Sequence, residues 1–189
     1  MTQQSLLRIA PAIALAVLAS CGAGKQESTK GGAAVENAAL TKLQLTSDAF
    51  KDGQSIPGKY TCDGAGQTPT LHWGDPPEST KSFALVVDDP DAPSGTFSHW
   101  GVFDIPSSAR SVGGGERIGT EVSNDFGKPG YGGPCPPKGN GPHHYHFKLF
   151  ALDVGSLALN AQSHVSDVER EAEKHALAKG ELIGTYERR

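Results

Sequence analysis

The pattern of apolar and polar positions predicts a chain built mainly from strands. The strongest run, Ser82–Asp89, is apolar on both alternating faces until it ends in two aspartates. A run of this kind predicts a central strand that is covered on both sides. Shorter alternating runs bounded by Gly, Pro and Asp predict further strands over residues 43–45, 70–73, 99–105, 118–122, 143–152 and 181–187.

One segment near the end of the sequence has helical spacing instead. Val168, Ala172 and Ala176 recur at intervals typical of one helix face, behind a capping box at residues 166–169. Gly180 is a natural C-terminal stop for this helix. Many strands, one helix and long Gly/Pro loops predict a mainly β fold, an antiparallel β-sandwich with one C-terminal helix.

The first twenty residues have the features of a signal peptide. A single Arg8 precedes an apolar run at residues 9–19, which is shorter than the ~20 residues that a membrane-spanning helix needs. The end of this segment, Leu-Ala-Ser-Cys-Gly, resembles the bacterial lipobox, and this implies cleavage before Cys21 and acylation of that cysteine. The alternative is an ordinary signal peptide in which the cysteine is incidental.

The following residues predict a flexible tether between Cys21 and a folded domain. Residues 21–42 are small and polar and show no periodicity, which is typical of a linker. The domain is therefore expected over residues 43–189, and the protein is expected at the bacterial cell envelope, attached to a membrane by lipid.

Composition narrows the function classes. The formal net charge of −4 gives no reason to expect nucleic-acid binding through a basic surface. Three cysteines lie far apart and form no C-x-x-C pair. Once Cys21 is assigned to lipidation, Cys62 and Cys135 remain, either as a disulfide formed in an oxidising compartment or as two buried thiols.

A rigid loop that leads into a polar strand is the main candidate for a binding site. Residues 133–142 are dense in Gly and Pro, and the strand that follows carries three His and one Tyr. Alternation places His143 and Tyr145 on one face and His144 and His146 on the other. Such a loop and strand end are able to form a small polar pocket.

Five motifs in order resemble the phosphatidylethanolamine-binding protein family, which includes the Raf kinase inhibitor proteins and bacterial relatives. They cover about residues 43–187. In sequence order they are Tyr60-Thr61-Cys62-Asp63-Gly64 with Pro69-x-Leu71-x-Trp73, Asp89-Pro90-Asp91-Ala92-Pro93, Ser98-His99-Trp100, Gly133-Pro134-Cys135-Pro136-Pro137-x-Gly139, and His143-x-Tyr145-x-Phe147.

The resemblance implies a β-sandwich with a small anion pocket at one end. The pocket residues that it implies are Asp89, Asp91, His99, Pro136, His143 and Tyr145. One departure is His144, where arginine is common in relatives, so the resemblance carries over no arginine contact at the rim.

The expected function is non-enzymatic binding of a small phosphate-bearing or zwitterionic ligand such as phosphoethanolamine, with no cofactor and possible regulatory or inhibitory use. One alternative is an enzyme, either metal-dependent through His144 and His146 or hydrolytic through Asp89, His99 and His143. Another is an interaction protein whose pocket binds nothing. The sequence identifies no protein partner.

Overall fold

The computed structural model describes residues 40–189, so the predicted signal peptide and the lipidation site at Cys21 lie outside the described residues. The strands are β1 (Thr41–Lys42), β2 (Leu45–Ser47), β3 (Leu71–Trp73), β4 (Ser82–Asp89), β5 (Phe97–Pro106), β6 (Ser111–Val112), β7 (Thr120–Glu121), β8 (His143–Leu152) and β9 (Ala176–Tyr186). Helix α1 covers Val165–His175, and a single 3-10 turn covers Gly58–Tyr60. Within residues 40–189, no helix has the length and apolar character needed to cross a membrane.

The strands form two sheets. The larger has the order β1-β9-β8-β4-β5-β7, and the smaller has the order β2-β3-β6. The prediction of a mainly β sandwich with one helix is confirmed. One edge differs from a purely antiparallel arrangement, because β1 runs parallel to β9, with Thr41 opposite Ala178.

The core lies on both faces of the larger sheet. All eight residues of β4 are buried, which confirms the prediction of a central strand covered on both sides. Phe83 and Leu85 face the smaller sheet, where the rings of Phe83 and Trp73 lie 5.1 Å apart. Ala84 and Val86 face α1 on the opposite side. The burial of both faces leaves the end of this strand as a fixed support for polar side chains.

Helix α1 begins two residues earlier than the capping box predicted. The N-cap is His164, whose Nδ1 accepts from the Ser166 backbone N–H while Asp167 accepts from the His164 backbone N–H. The sequence Ser166–Glu169 fits the same capping-box pattern, and it therefore predicted Ser166 as the N-cap. The packing of Val165, only 1% exposed, requires the helix to include that residue.

The predicted helix stop at Gly180 is wrong. The helix ends at His175 and the chain enters β9 at once, so β9 begins at Ala176 and not at residue 181. Full pairing of β9 with β8, from Tyr186 opposite His143 to Ala176 opposite Leu152, outweighs the local helical pattern. Gly180 instead allows a close approach of two backbones, because a Cβ there would lie 3.0 Å from the carbonyl oxygen of Leu43.

Candidate ligand-binding site

One end of the larger sheet holds a cavity of about 230 Å³. Because β4 is antiparallel to both β5 and β8, its end lies beside the starts of those two strands. Asp89 therefore meets His99 and His143, and the loop that contains Pro136 closes one side. Four of the six predicted site residues thus line one cavity.

His99 is held in a definite orientation at the cavity. Its Nδ1 donates to the carbonyl oxygen of Gly132 at 2.7 Å. Its ring is only 2% exposed and lies 5.1 Å from the ring of Phe97 and 5.4 Å from that of Phe126. Within the part of the chain that the structure describes, Nε2 has no hydrogen-bond partner, so this nitrogen is open to a ligand.

Burial determines the charge of His99. Removal from water lowers the pKa of the imidazole below its usual 6.5, and this outweighs the Gly132 carbonyl and the nearby carboxylates of Asp89 and Asp125, which favour protonation. His99 is therefore neutral at pH 7. Its free Nε2 then accepts a hydrogen bond instead of donating one.

Asp89 and His143 form a buried pair. The Nδ1 of His143 donates to Asp89 Oδ2 at 2.7 Å, and the exposed fractions of the two side chains are 2% and 5%. The other carboxylate oxygen accepts from the backbone N–H of Asp91 at 2.9 Å. The amide of Asn140 donates to Nε2 of His143 at 3.0 Å, so both ring nitrogens of His143 are engaged.

Asp91 does not line the cavity. It lies in the turn after β4, where its Oδ2 accepts from the backbone N–H of His144 at 2.8 Å and from the ring of that residue at 2.7 Å. These bonds, the ring's first, lower the pKa of the Asp91 carboxyl. His144 points away from His143, as the alternation of β8 predicts, and its side chain is 51% exposed.

Tyr145 lies behind the cavity wall and not in it. Its ring makes an edge contact with His99, with the ring centres 5.1 Å apart. The hydroxyl is fully buried, and in the described residues no hydrogen bond of ordinary geometry reaches it. The Asp89 carboxylate and the Cys135 backbone N–H nonetheless lie close by, and burial together with the Asp89 charge raises the pKa of the phenol far above its usual range.

A disulfide fixes the wall of the cavity. Cys62 and Cys135 are joined, with their Cα atoms 5.4 Å apart, and Cys135 lines the cavity. The backbone N–H of Cys62 also donates to the Pro134 carbonyl at 3.1 Å. A Cβ on Gly133 would lie 2.6 Å from the Tyr60 carbonyl oxygen, so only glycine permits this close approach of the two loops.

The end of the chain supports the same wall. Arg188 binds both carboxylate oxygens of Asp63, and the hydroxyl of Tyr186 donates to the same carboxylate at 2.9 Å. These hydrogen bonds lower the pKa of the Asp63 carboxyl, with Arg188 contributing most. The carbonyl of Arg188 also accepts from the backbone N–H of Gly139 in the loop before β8.

The proposed metal ligands on the other face of β8 do not converge. His144 pairs with Asp91, and His146 pairs with Glu181 at 2.9 Å. Residues 40–189 contain no group of three or more His, Cys, Asp or Glu side chains arranged to hold a metal ion.

Several residues of the site were not singled out from the sequence. The cavity rim carries Phe97 and Phe126, the latter 43% exposed. Gly132 and Asn140 orient the two imidazoles from loops. An aromatic residue in a Gly-rich stretch was the sequence signal for Phe126, whereas residue order does not show that Asn140 bonds to His143.

The fold and the cavity define a β-sandwich protein with a small pocket at a sheet end, where polar side chains lie among aromatic and proline side chains. A family model described as phosphatidylethanolamine-binding protein matches residues 46–187, which is most of the chain. The chain therefore belongs to the phosphatidylethanolamine-binding protein family, as the five sequence motifs predicted.

Relatives of known sequence and structure agree. A UPF0098 protein of Aquifex aeolicus is 49% identical over 152 residues, which cover 77% of this chain and 89% of that protein. The crystal structure of Escherichia coli YbcL, described as a member of the mammalian PEBP family, superposes with a TM-score of 0.74 at 33% identity, covering 79% of this chain and all of that one. The PEBP homolog CT736 of Chlamydia trachomatis gives 0.72 at 36% identity, covering 79% and 99%.

Proposed function

We propose that this protein binds, without converting it, a small phosphate-bearing or zwitterionic ligand such as phosphoethanolamine in the cavity of Asp89, His99 and His143. The observation that carries the proposal is the meeting of these three side chains, from three strands, in one cavity of about 230 Å³. Ligand pockets for drug-sized molecules usually measure about 300–1,000 Å³, so a ligand of headgroup size suits this one better. The carboxylate suits an ammonium group, and Nε2 of His99 suits a phosphate oxygen when a proton lies between the two atoms.

The environment of His143 supports binding over catalysis by that residue. A general base needs a free ring nitrogen within reach of the proton that it removes. Here Nδ1 of His143 is bonded to Asp89, and Nε2 is bonded to Asn140 instead of to a nucleophile. The membership of a family named for phospholipid binding points the same way.

Calorimetry tests the binding proposal. Phosphoethanolamine is expected to bind with a dissociation constant weaker than about 1 μM, because a polar headgroup has little apolar area of its own to bury. The His99→Gln variant is expected to lose this binding, and His144→Gln, a neighbouring exposed imidazole, is expected to keep it. No binding by the unmodified protein would contradict the function, and submicromolar binding would contradict the reasoning on apolar area. Release of free phosphate during incubation would show an enzyme instead.

We also propose that the protein works at the bacterial cell envelope, held there by lipid on Cys21. The lipobox-like sequence before Cys21 supports this. So does the Cys62–Cys135 disulfide, since disulfides are typical of proteins outside the cytosol. A tether of about twenty residues has an r.m.s. reach of roughly 25 Å, which keeps the cavity near the membrane surface.

Metabolic labelling with a fatty-acid analogue in a bacterial host tests the anchor. The full chain is expected to take up the label and to fractionate with membranes. Cys21→Ser is expected to lose both properties, whereas Cys62→Ser serves as the control cysteine and is expected to retain the label. An unlabelled full chain in the soluble fraction would contradict the proposed anchor.

A further inference from the structure

The two imidazoles of the cavity are fixed in particular tautomers by groups around it. A carbonyl oxygen only accepts, so the proton of neutral His99 lies on Nδ1, toward Gly132, and its Nε2 holds a lone pair. In His143 the Nδ1 proton points to Asp89, and Nε2 accepts from the amide of Asn140. In this state neither ring presents an N–H group to a ligand.

The charges that face His99 reinforce this state. Asp89 approaches it from the end of β4, Asp125 from the loop after β7, and His143 and Tyr145 from β8. Two of these groups are acids, the phenol of Tyr145 is neutral, and Nε2 of His143 is engaged by the amide of Asn140. The cavity therefore contains acceptors and a carboxylate, which together repel an oxyanion that brings no proton.

We propose that Asn140, by occupying Nε2 of His143, is a specificity-determining residue that makes the cavity bind an oxyanion only together with a proton. The proton is carried either by the ligand, as the P–OH group of a phosphate monoester, or by His99 as an imidazolium. This inference rests on the proposed binding function and specifies its ligand class: phosphate monoesters ahead of phosphodiesters at neutral pH.

The preference for monoesters follows from whether the ligand carries a proton of its own near neutral pH. The second pKa of a phosphate monoester is about 6, so near neutral pH a useful fraction of the ligand carries P–OH and donates to Nε2 of His99. A phosphodiester has no such proton and binds only after His99 itself is protonated. Because burial lowers the pKa of His99, that condition is met only in more acidic solution.

Calorimetry from pH 5 to pH 8 with phosphoethanolamine, a monoester, and glycerophosphoethanolamine, a diester, tests this preference. For a bound state that takes up one proton, affinity falls about tenfold per pH unit above the pKa concerned. The monoester is therefore expected to bind more tightly than the diester at pH 7, and both affinities should rise as the pH falls. The difference should close as the pH falls toward the pKa of His99. Repeating the titrations in buffers of different ionisation enthalpy measures the protons taken up.

The Asn140→Ala variant tests the role of the amide itself. Without the amide, Nε2 of His143 is free to present an N–H group to the ligand, so the diester should gain affinity at pH 7 and the monoester preference should shrink. His144→Gln, which changes an exposed imidazole beside the site, should leave the preference unchanged. Nitrogen-15 NMR of the unmodified protein provides a measurement that needs neither variant nor ligand, and it should show His143 protonated on Nδ1 alone.

The possible failures can be told apart. If neither compound binds between pH 5 and pH 8, the proposed function is wrong and this inference falls with it. Equal affinity for both compounds across the range would leave the function standing and overturn the inference. A proton on Nε2 of His143 at pH 7 would overturn it as well, whichever compound binds.

Discussion

The Cys62–Cys135 disulfide joins two loops that are 73 residues apart in sequence, and its removal is expected to lower both stability and ligand affinity. The loop that it closes contains β3 to β7, which include the central strand β4. Cys135 also lines the cavity, so a wall that is freed at this point holds the ligand less firmly.

The magnitude follows from the length of the closed loop. Cross-linking restricts the unfolded chain by about 2.1 + 1.5R ln n cal/mol/K, which for n near 73 gives about 4 kcal/mol at 25 °C. The contacts that remain, from Cys62 to Pro134 and from Asp63 to Arg188, keep the two loops adjacent in the folded state. We therefore expect a variant that folds, with its free energy of unfolding reduced by about 4 kcal/mol.

Urea denaturation of the Cys62→Ala, Cys135→Ala double variant checks this value, with the two buried tryptophans as the fluorescent probe. With an m-value of ~2 kcal/mol/M, the midpoint should fall by about 2 M. Reductant should shift the unmodified protein by a similar amount and the variant not at all, and Cys21→Ser serves as a control substitution. A loss below about 1 kcal/mol would refute the reasoning, because it would mean that the cross-link restricts the unfolded chain far less than the loop length implies.

Three further changes have defined outcomes. The pKa of His99 in the folded state lies below 6.5, so the unfolded state takes up the proton first as the pH drops. The free energy of unfolding therefore falls between pH 6.5 and the folded-state pKa. His99→Gln should remove this pH dependence, which melting curves at a series of pH values measure. Lys148→Met leaves the buried Asp88 without its 2.6 Å partner and should cost about 3–5 kcal/mol in denaturant titrations, with a smaller loss at low pH, where the acid is neutral. Gly101→Ala places a Cβ 2.7 Å from Val122 Cγ2 and should destabilise by about 1–3 kcal/mol, whereas a thermal melt without change would show that the contact relaxes.

The sequence predicted the parts of the fold that depend on local pattern. The burial of β4 and the alternation of β8 follow from side-chain order alone, so both were predicted. The boundaries of α1 were not, because the choice between His164 and Ser166 as N-cap depends on how Val165 packs against the sheet. The strand position of Gly180 likewise depends on pairing with β8 and not on its neighbours in sequence.

For the candidate site, too, some features were predicted from the sequence and others were not. The motifs grouped Asp89, His99 and His143, and the structure places these three residues at one cavity, because strand ends of an antiparallel sheet meet. Asn140 lies only three residues before His143, but their hydrogen bond depends on a three-dimensional arrangement that residue order does not give, and the contribution of Asn140 was therefore missed. The packing of Tyr145 behind His99, outside the lining, was beyond reach for the same reason.

The disulfide was a choice between two alternatives from sequence. Cysteines that are 73 residues apart pair only if the fold brings their backbones together, and spacing alone does not show this.

A crystal structure of this protein grown with phosphate near pH 5.5 tests the central claim most directly. The account predicts a tetrahedral anion in the cavity, with one oxygen about 2.7–3.2 Å from Nε2 of His99 and with His143 alongside it. A cavity that holds only water under these conditions, or one in which the anion avoids His99 and binds elsewhere, would contradict it.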